Sequence, residues 1–179
     1  MFFSLKNPDS QFSGTPEKSR NCYLSMSDQE LLDCCRVDVY IGSGPGGQHR
    51  NRNYTAVRII FKALPEIYAE DSTSRSQKQN IKNALQKLRI SIACSWREKA
   101  ADIVEYKHFN ENNINYPSEL AKLLDVTVES KFDHKLSALR LGLSNSGYLK
   151  ELAREYTVWQ QFQSARAELG LSELKLPRS

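Results

Sequence analysis

Arg36-Val37-Asp38-Val39-Tyr40-Ile41 leads into Gly42-Ser43-Gly44-Pro45-Gly46-Gly47-Gln48-His49-Arg50-Asn51-Arg52-Asn53, and Thr55-Ala56-Val57-Arg58-Ile59-Ile60-Phe61 follows. From Arg36 to Gly42 apolar and polar side chains alternate, the period of a half-buried strand; the last run is β-branched and apolar. Two strands therefore bracket a loop that holds Gly42, Gly44, Gly46 and Gly47, half of the chain's 8 glycines. A phosphate-cradling turn does not fit, because no Gly-Lys-Ser/Thr closes the loop and no long helical pattern begins directly after Gly47. A passive connection does not fit either, since it has no use for Gln, His, Asn and two Arg behind paired glycines. Gly46 and Gly47 reach backbone angles closed to other residues and leave no side chain between the backbone and whatever it approaches. Roughly a dozen residues folded back on themselves project at most about 20 Å. Such a loop suits a deep, narrow site, with Arg50, Arg52 and Arg58 placed to meet phosphates on the way in.

Beyond the loop, Ile67-Tyr68-Ala69 reads as a further short strand across the Leu64-Pro65-Glu66 turn. Ser74 and Gln77 open a long helical stretch in which Ile81, Ala84, Leu85, Leu88, Ile92 and Trp96 fall on one face, while Lys78, Lys82 and Arg89 lie on another. Upstream, Ser27 and Glu30 have capping-box spacing before Leu31 and Leu32, and residues 1 to 25 read as a flexible lead-in rich in Ser, Asn, Pro and Gly. Downstream, after the polar joint at Asn110 to Asn115, Ser118, Asp133 and Ser144 are candidate N-caps, Gly142 and Gly170 candidate stops, and leucine pairs supply apolar faces. The expected fold is α+β: a small β-sheet with a long packed helix, followed by a small all-α appendage of three or four helices. The expected division is a flexible segment 1–25, an α+β domain 26–109 that carries the glycine-rich loop, and a helical domain 110–179.

The formal charge of +4 conceals an uneven distribution. Residues 1–40 carry 4 basic and 6 acidic side chains, residues 41–109 carry 12 and 6, and residues 110–179 carry 9 and 9. The positive field belongs to the middle third and favours a polyanionic partner. Cys22, Cys34, Cys35 and Cys94 show no metal-ligand spacing and read as reduced thiols, so no metal site is expected. No apolar run approaches a membrane span, and neither a signal peptide nor a presequence pattern is present, which predicts a soluble cytoplasmic protein with no membrane partner.

Ser43-Gly44-Pro45-Gly46-Gly47-Gln48-His49, Asn51 and Ala56-Val57-Arg58-Ile59 resemble the signature of class I peptide chain release factors and related ribosome-rescue hydrolases. The similarity continues through Arg75-Ser76-Gln77 and the helix with Asn80, Ala84 and Leu88, covering roughly residues 35 to 100. The resemblance implies a loop that enters the ribosomal peptidyl transferase centre and promotes attack of water on the ester of P-site peptidyl-tRNA. It makes Gly46, Gly47 and Gln48 the catalytic residues. In that family the backbone amide matching Gln48 stabilises developing negative charge and the side chain positions water; one such donor is worth roughly 3 kcal/mol. An amide side chain is neither general base nor nucleophile, so no covalent intermediate, catalytic triad or cofactor is implied. His49, Arg50, Asn51, Arg52, Arg58, Arg75, Lys78 and Lys82 become the candidate contacts to ribosomal RNA. Gln48 becomes a candidate substrate for a glutamine methyltransferase, as in many relatives. Arg50 replaces a usual aliphatic residue, Arg52-Asn53-Tyr54 replaces a stretch commonly Lys or Thr followed by Thr and Asp, and the hairpin lacks the usual His and Pro-Thr-Gly turn.

About 40 residues precede the glycine-rich loop and contain no Pro-x-Thr or Ser-Pro-Phe element of the kind that reads stop codons in the family. The expectation is therefore codon-independent release from stalled ribosomes by a monomer. Two readings compete with it. One is a noncatalytic ribosome- or RNA-binding protein that keeps the fold. The other is a DNA-binding regulator, suggested by the weak helix-turn-helix look of Ala138, Gly142, Leu143-Ser144, Leu149 and Leu152.

Overall fold

A computed structural model describes residues 12–41 and 54–176 of the chain. Among the described residues it contains a three-stranded antiparallel sheet and seven helices, an α+β fold as the sequence predicts. Contacts gather them into two units, Phe12–Ile92 and 93–176.

In the first unit, α1 (Arg20–Ser25) and α2 (Asp28–Asp33) precede the strands β1 (Cys35–Tyr40), β2 (Ala56–Phe61) and β3 (Tyr68–Asp71), and α3 (Gln77–Ser95) follows them. The order β1-β2-β3 is a meander. Cys35 pairs with Phe61 and Tyr40 with Ala56 at the ends of the first ladder, and Val57 pairs with Asp71 and Ile60 with Tyr68 in the second. Because side chains alternate faces along a strand, this register puts Val37, Ile59 and Ala69 on one side and Asp38, Arg58 and Glu70 on the other. The first side is the core face: Val57, Ile59, Phe61 and Ala69 are buried, as are Ala84, Leu85, Leu88 and Ile92 of α3. Ile81 is half-buried, and Trp96 lies beyond the end of the helix.

The Ser27–Glu30 capping box forms in both directions, with the Ser27 N–H donating to Glu30 Oε2 at 2.8 Å. Two features depart from the sequence reading. Helix α1 lies inside the segment read as a flexible lead-in: it is too short for a periodic signal, and Ser19 caps it while Tyr23 packs edge-on against Phe61 at 4.8 Å between ring centroids. Arg89, expected on an outer face with Lys78 and Lys82, is buried. Its guanidinium donates to Leu24 O at 2.9 Å, Met26 O at 2.7 Å and Asp28 Oδ1 at 3.1 Å, tying α3 to the turn between α1 and α2. Ahead of α1, the Ser13 N–H donates to Glu66 Oε1 at 2.9 Å, and a Cβ on Gly14 would meet Ala63 O at 1.9 Å, so this stretch lies directly on the β2–β3 turn.

In the second unit four helices pack together: α4 (Tyr116–Glu129), α5 (His134–Arg140), α6 (Asn145–Ala153) and α7 (Tyr156–Glu168). Leu120, Leu123, Leu124, Tyr148, Leu152, Trp159 and Phe162 form their core. Asp133 and Ser144 cap α5 and α6 through side-chain oxygens as predicted. Ser118 does not cap: α4 already begins at Tyr116, because Pro117 fits the first turn, where no N–H is needed. Gly142 and Gly170 both take the left-handed conformation, with φ of +65° and +71°. Each ends its helix with a reverse-turn bond, Leu143 N to Ala138 O and Leu171 N to Arg166 O, both at 2.9 Å.

Candidate functional site

The glycine-rich segment is the connection between β1 and β2, and cross-strand partners Tyr40 and Ala56 mark its two ends. Partners in an antiparallel ladder lie about 5 Å apart, so the chain leaves and re-enters the sheet at one place. Residues 41–47 are seven and residues 49–55 are seven, which makes Gln48 the midpoint of the connection. Seven residues reach at most about 25 Å. Of all residues in the connection, the midpoint has the largest maximum reach from the strand ends. Gly46, Gly47, Gln48, His49, Arg50, Asn51 and Arg52 themselves lie outside the described residues.

The returning stem is held from α3. Asn80 is fully buried, and its Nδ2 donates to Thr55 O at 2.6 Å and to Ser74 O at 2.9 Å, while its Oδ1 accepts from Ser74 N at 2.8 Å. Next to it, Asp71 at the end of β3 accepts from Lys87 Nζ at 2.6 Å, Thr73 Oγ1 at 2.8 Å, Thr73 N at 3.1 Å and Asn83 Nδ2 at 3.2 Å. Burial alone would push the Asp71 carboxyl up, but the bonds from Lys87, Thr73 and Asn83 outweigh it and hold the group at about 2.

The four described candidate RNA contacts divide into two kinds. Arg58 stands on the exposed face of the sheet, where its cross-strand neighbour Glu70 accepts from Nε at 2.5 Å; the guanidinium also lies 5.8 Å from the ring centres of both Tyr40 and Tyr68. The Glu70 bond and charge raise the Arg58 pKa, and Glu70 also accepts from the Tyr40 hydroxyl at 3.3 Å. Burial, then the Glu70 charge, raises the Tyr40 pKa. Arg58 is thus occupied within the sheet. Arg75, Lys78 and Lys82 are exposed, and none has an ion pair among the described residues. Lys78 and Lys82, four apart, share one side of the first turns of α3, and Arg75 stands in the bend just before the helix.

Asn80 is the residue of this site whose structural role the sequence did not reveal. Its place in a helix beginning Gln77-Lys78-Gln79 looks like that of any polar surface position. The signal that could have found it is its alignment with the apolar face: Asn80 precedes Ala84 and Leu88 at steps of four.

In the second unit, Glu151 collects the Tyr106 hydroxyl at 2.8 Å, His108 Nδ1 at 2.6 Å and Arg154 at 2.9 Å. Arg154 also lies 4.6 Å from the centre of the Tyr116 ring. Burial would raise the Glu151 pKa, yet the bonds from Tyr106, Arg154 and His108 bring it below the usual range. This network holds residues 106–108 to α6. It also engages Arg154, the C-cap of α6.

The described part of the first unit is a three-stranded meander with a long helix after it, and the glycine-rich connection lies between its first two strands. The RF-1 domain family matches residues 28–121, and this chain belongs to that family. It is similar to peptide chain release factor 1 of Streptococcus pneumoniae, with 30% identity over 165 residues that make up 87% of this chain and 45% of that protein. It is likewise 30% identical to peptide chain release factor 1 of Lactobacillus delbrueckii subsp. bulgaricus over 162 residues, 86% of this chain and 45% of that protein. The chain thus spans less than half the length of these relatives. No solved structure matches. No described helix is long and apolar enough to cross a membrane.

Proposed function

We propose that the chain hydrolyses the ester of peptidyl-tRNA in the ribosomal peptidyl transferase centre without reading a codon. The observation that carries this reading is the position of Gln48 at the midpoint of the β1–β2 connection, flanked by Gly46 and Gly47. The residue given the catalytic amide is the one able to reach deepest. Family membership supports the same chemistry. Release in this reading needs no nucleophile from the protein: the Gln48 N–H meets the developing oxyanion, and water attacks.

Large-subunit ribosomal RNA and P-site peptidyl-tRNA are the partners. Arg75, Lys78 and Lys82, which have no ion pair among the described residues, offer charge to phosphates, with Arg58 contributing less because Glu70 already holds it. His49, Arg50, Asn51 and Arg52 are assigned to the walls of the same channel. The chain acts as a monomer without a cofactor, and Gln48 is the substrate of a glutamine methyltransferase.

The test is release of labelled peptide from ribosomes stalled on mRNA with and without a stop codon in the empty A site. Wild type is expected to release equally from both. Gln48→Pro, which deletes the backbone donor, is expected to slow release by about 100-fold or more, with Gly46→Ala and Gly47→Ala also impaired. Binding without release by any version would transfer the assignment to a noncatalytic ribosome-binding protein. Release only on the stop codon would remove codon independence.

A further inference from the structure

We propose that Asn80 is a positioning residue that sets the direction in which the Gln48 loop leaves the domain. The inference rests on the release reading for its consequence, but its structural half stands on the hydrogen bonds alone. Three of the four hydrogen-bonding capacities of the Asn80 amide are engaged: two donors to Thr55 O and Ser74 O, and one acceptor lone pair from Ser74 N. The pattern determines the orientation of the amide, because the reverse would face its N–H against the Ser74 N–H and its oxygen against two carbonyls. It also specifies the residue type. A carboxylate can accept from Ser74 but cannot donate to Thr55.

The partners make this more than a satisfied core amide. Thr55 is the last residue of the connection before β2, and Ser74 is the turn that opens α3. Asn80 therefore clasps the returning stem of the loop to the helix start that carries Lys78 and Lys82, with Arg75 in the bend before it. Residues 78 and 82 lie two positions either side of Asn80, about 200° around the helix. The clasp faces inward where the lysines face out, both on one rigid element. A loop of seven residues per arm amplifies any tilt at its base, and a shift of about 1 Å at reacting atoms can cost about 100-fold in rate. The other stem ends at Tyr40, whose hydroxyl is tied to Glu70 on the exposed face of the sheet.

The experiment compares the full chain with Asn80→Asp, Asn80→Ala and the control Asp71→Asn, which weakens the neighbouring β3–α3 connection without touching Thr55. Each is measured for ribosome binding, for release rate at saturating factor, and for amide hydrogen exchange across residues 54–58 and 84–88. Asn80→Asp is expected to leave binding unchanged, slow saturated release by about 10-fold to 100-fold, and speed exchange at 54–58 selectively. Asp71→Asn is expected to release normally per folded molecule. If Asn80→Asp does not fold, Asn80→Ser is judged by the same readouts. Equal loss of rate in Asp71→Asn and the Asn80 variants, or faster exchange spread evenly over both segments, would reduce Asn80 to a stability residue and overturn the proposal. Should wild type release no peptide, the release reading fails, and selective exchange at 54–58 alone then decides for or against the clasp.

Discussion

Asp71→Asn is the perturbation whose size the structure specifies best. The carboxyl is buried at the end of β3 and accepts from Lys87, Asn83 and both donors of Thr73. Desolvation opposes its ionisation, yet those bonds lower its pKa from 3.8 to about 2. A group depressed in the folded state binds fewer protons there than in the unfolded chain. Its contribution is therefore complete above the unfolded value near 4 and disappears as pH falls through about 2. At 1.36 kcal/mol per unit the shift corresponds to about 2 kcal/mol of stability at neutral pH. Asn keeps the shape and an acceptor for Thr73 but loses the charge that Lys87 answers. Urea unfolding at pH 7 is expected to find Asp71→Asn less stable by about 2 kcal/mol. On lowering the pH to about 2 the gap should narrow to within a few tenths of a kcal/mol. Comparing the two chains removes the titration of all other carboxylates, which they share. A gap that stays constant from pH 7 to pH 2 would refute the reasoning, since the loss would then come from shape or packing rather than charge.

Substituting Arg75, Lys78 or Lys82 with Gln should weaken ribosome binding and lower the dependence of log K on log salt by about 0.7 to 0.9 per residue, measured by titration over a salt series. Arg58→Gln should change that slope much less, because the Glu70 pair already neutralises it. Gly142→Ala and Gly170→Ala meet open space, so each should cost only the left-handed backbone penalty of about 1 kcal/mol, read by thermal or urea unfolding. Arg89→Met leaves the Leu24 and Met26 carbonyls without their donor and should destabilise by about 3 kcal/mol in the same assays.

What could be read from the sequence was what depends on neighbours in the chain. The Ser27–Glu30 box, the Asp133 and Ser144 caps and the Gly142 and Gly170 stops are each decided within one turn of helix, and all five form. The β2–β3 turn is equally local. Residues whose partners are remote were misread or passed over. Arg89 looked like a third member of a basic face because nothing near it in sequence shows that carbonyls 65 and 63 positions away will enclose it. Arg58 looked like a free cation because its partner depends on the β2–β3 register. Helix α1 has too few residues for periodicity and exists through Tyr23 against Phe61. The glycine-rich loop was legible for the opposite reason: its composition is so unlike a connector that no tertiary information was needed to single it out. What that composition did not show is how the loop is held, because Thr55 offers only a backbone carbonyl.

The arrangement separates three tasks that a broad active-site surface would merge. Reach comes from chain length, and the equal arms on either side of Gln48 are the symmetric solution for a connection whose ends are about 5 Å apart. Direction, on the role proposed for Asn80, is set at the base, where its amide donates to the carbonyl of Thr55. Adhesion, in the proposed function, falls to Lys78 and Lys82 on the outward side of α3 and to Arg75 in the bend before it. Because α3 carries both Asn80 and the two lysines, the proposed contact of those lysines with RNA and the proposed aiming of the loop would act through one helix. The loop itself need carry no bulk for that purpose. This accounts for paired glycines beside the one side chain assigned to the chemistry: with direction and affinity supplied elsewhere, Gly46 and Gly47 are left with the single requirement of not obstructing the backbone amide of Gln48.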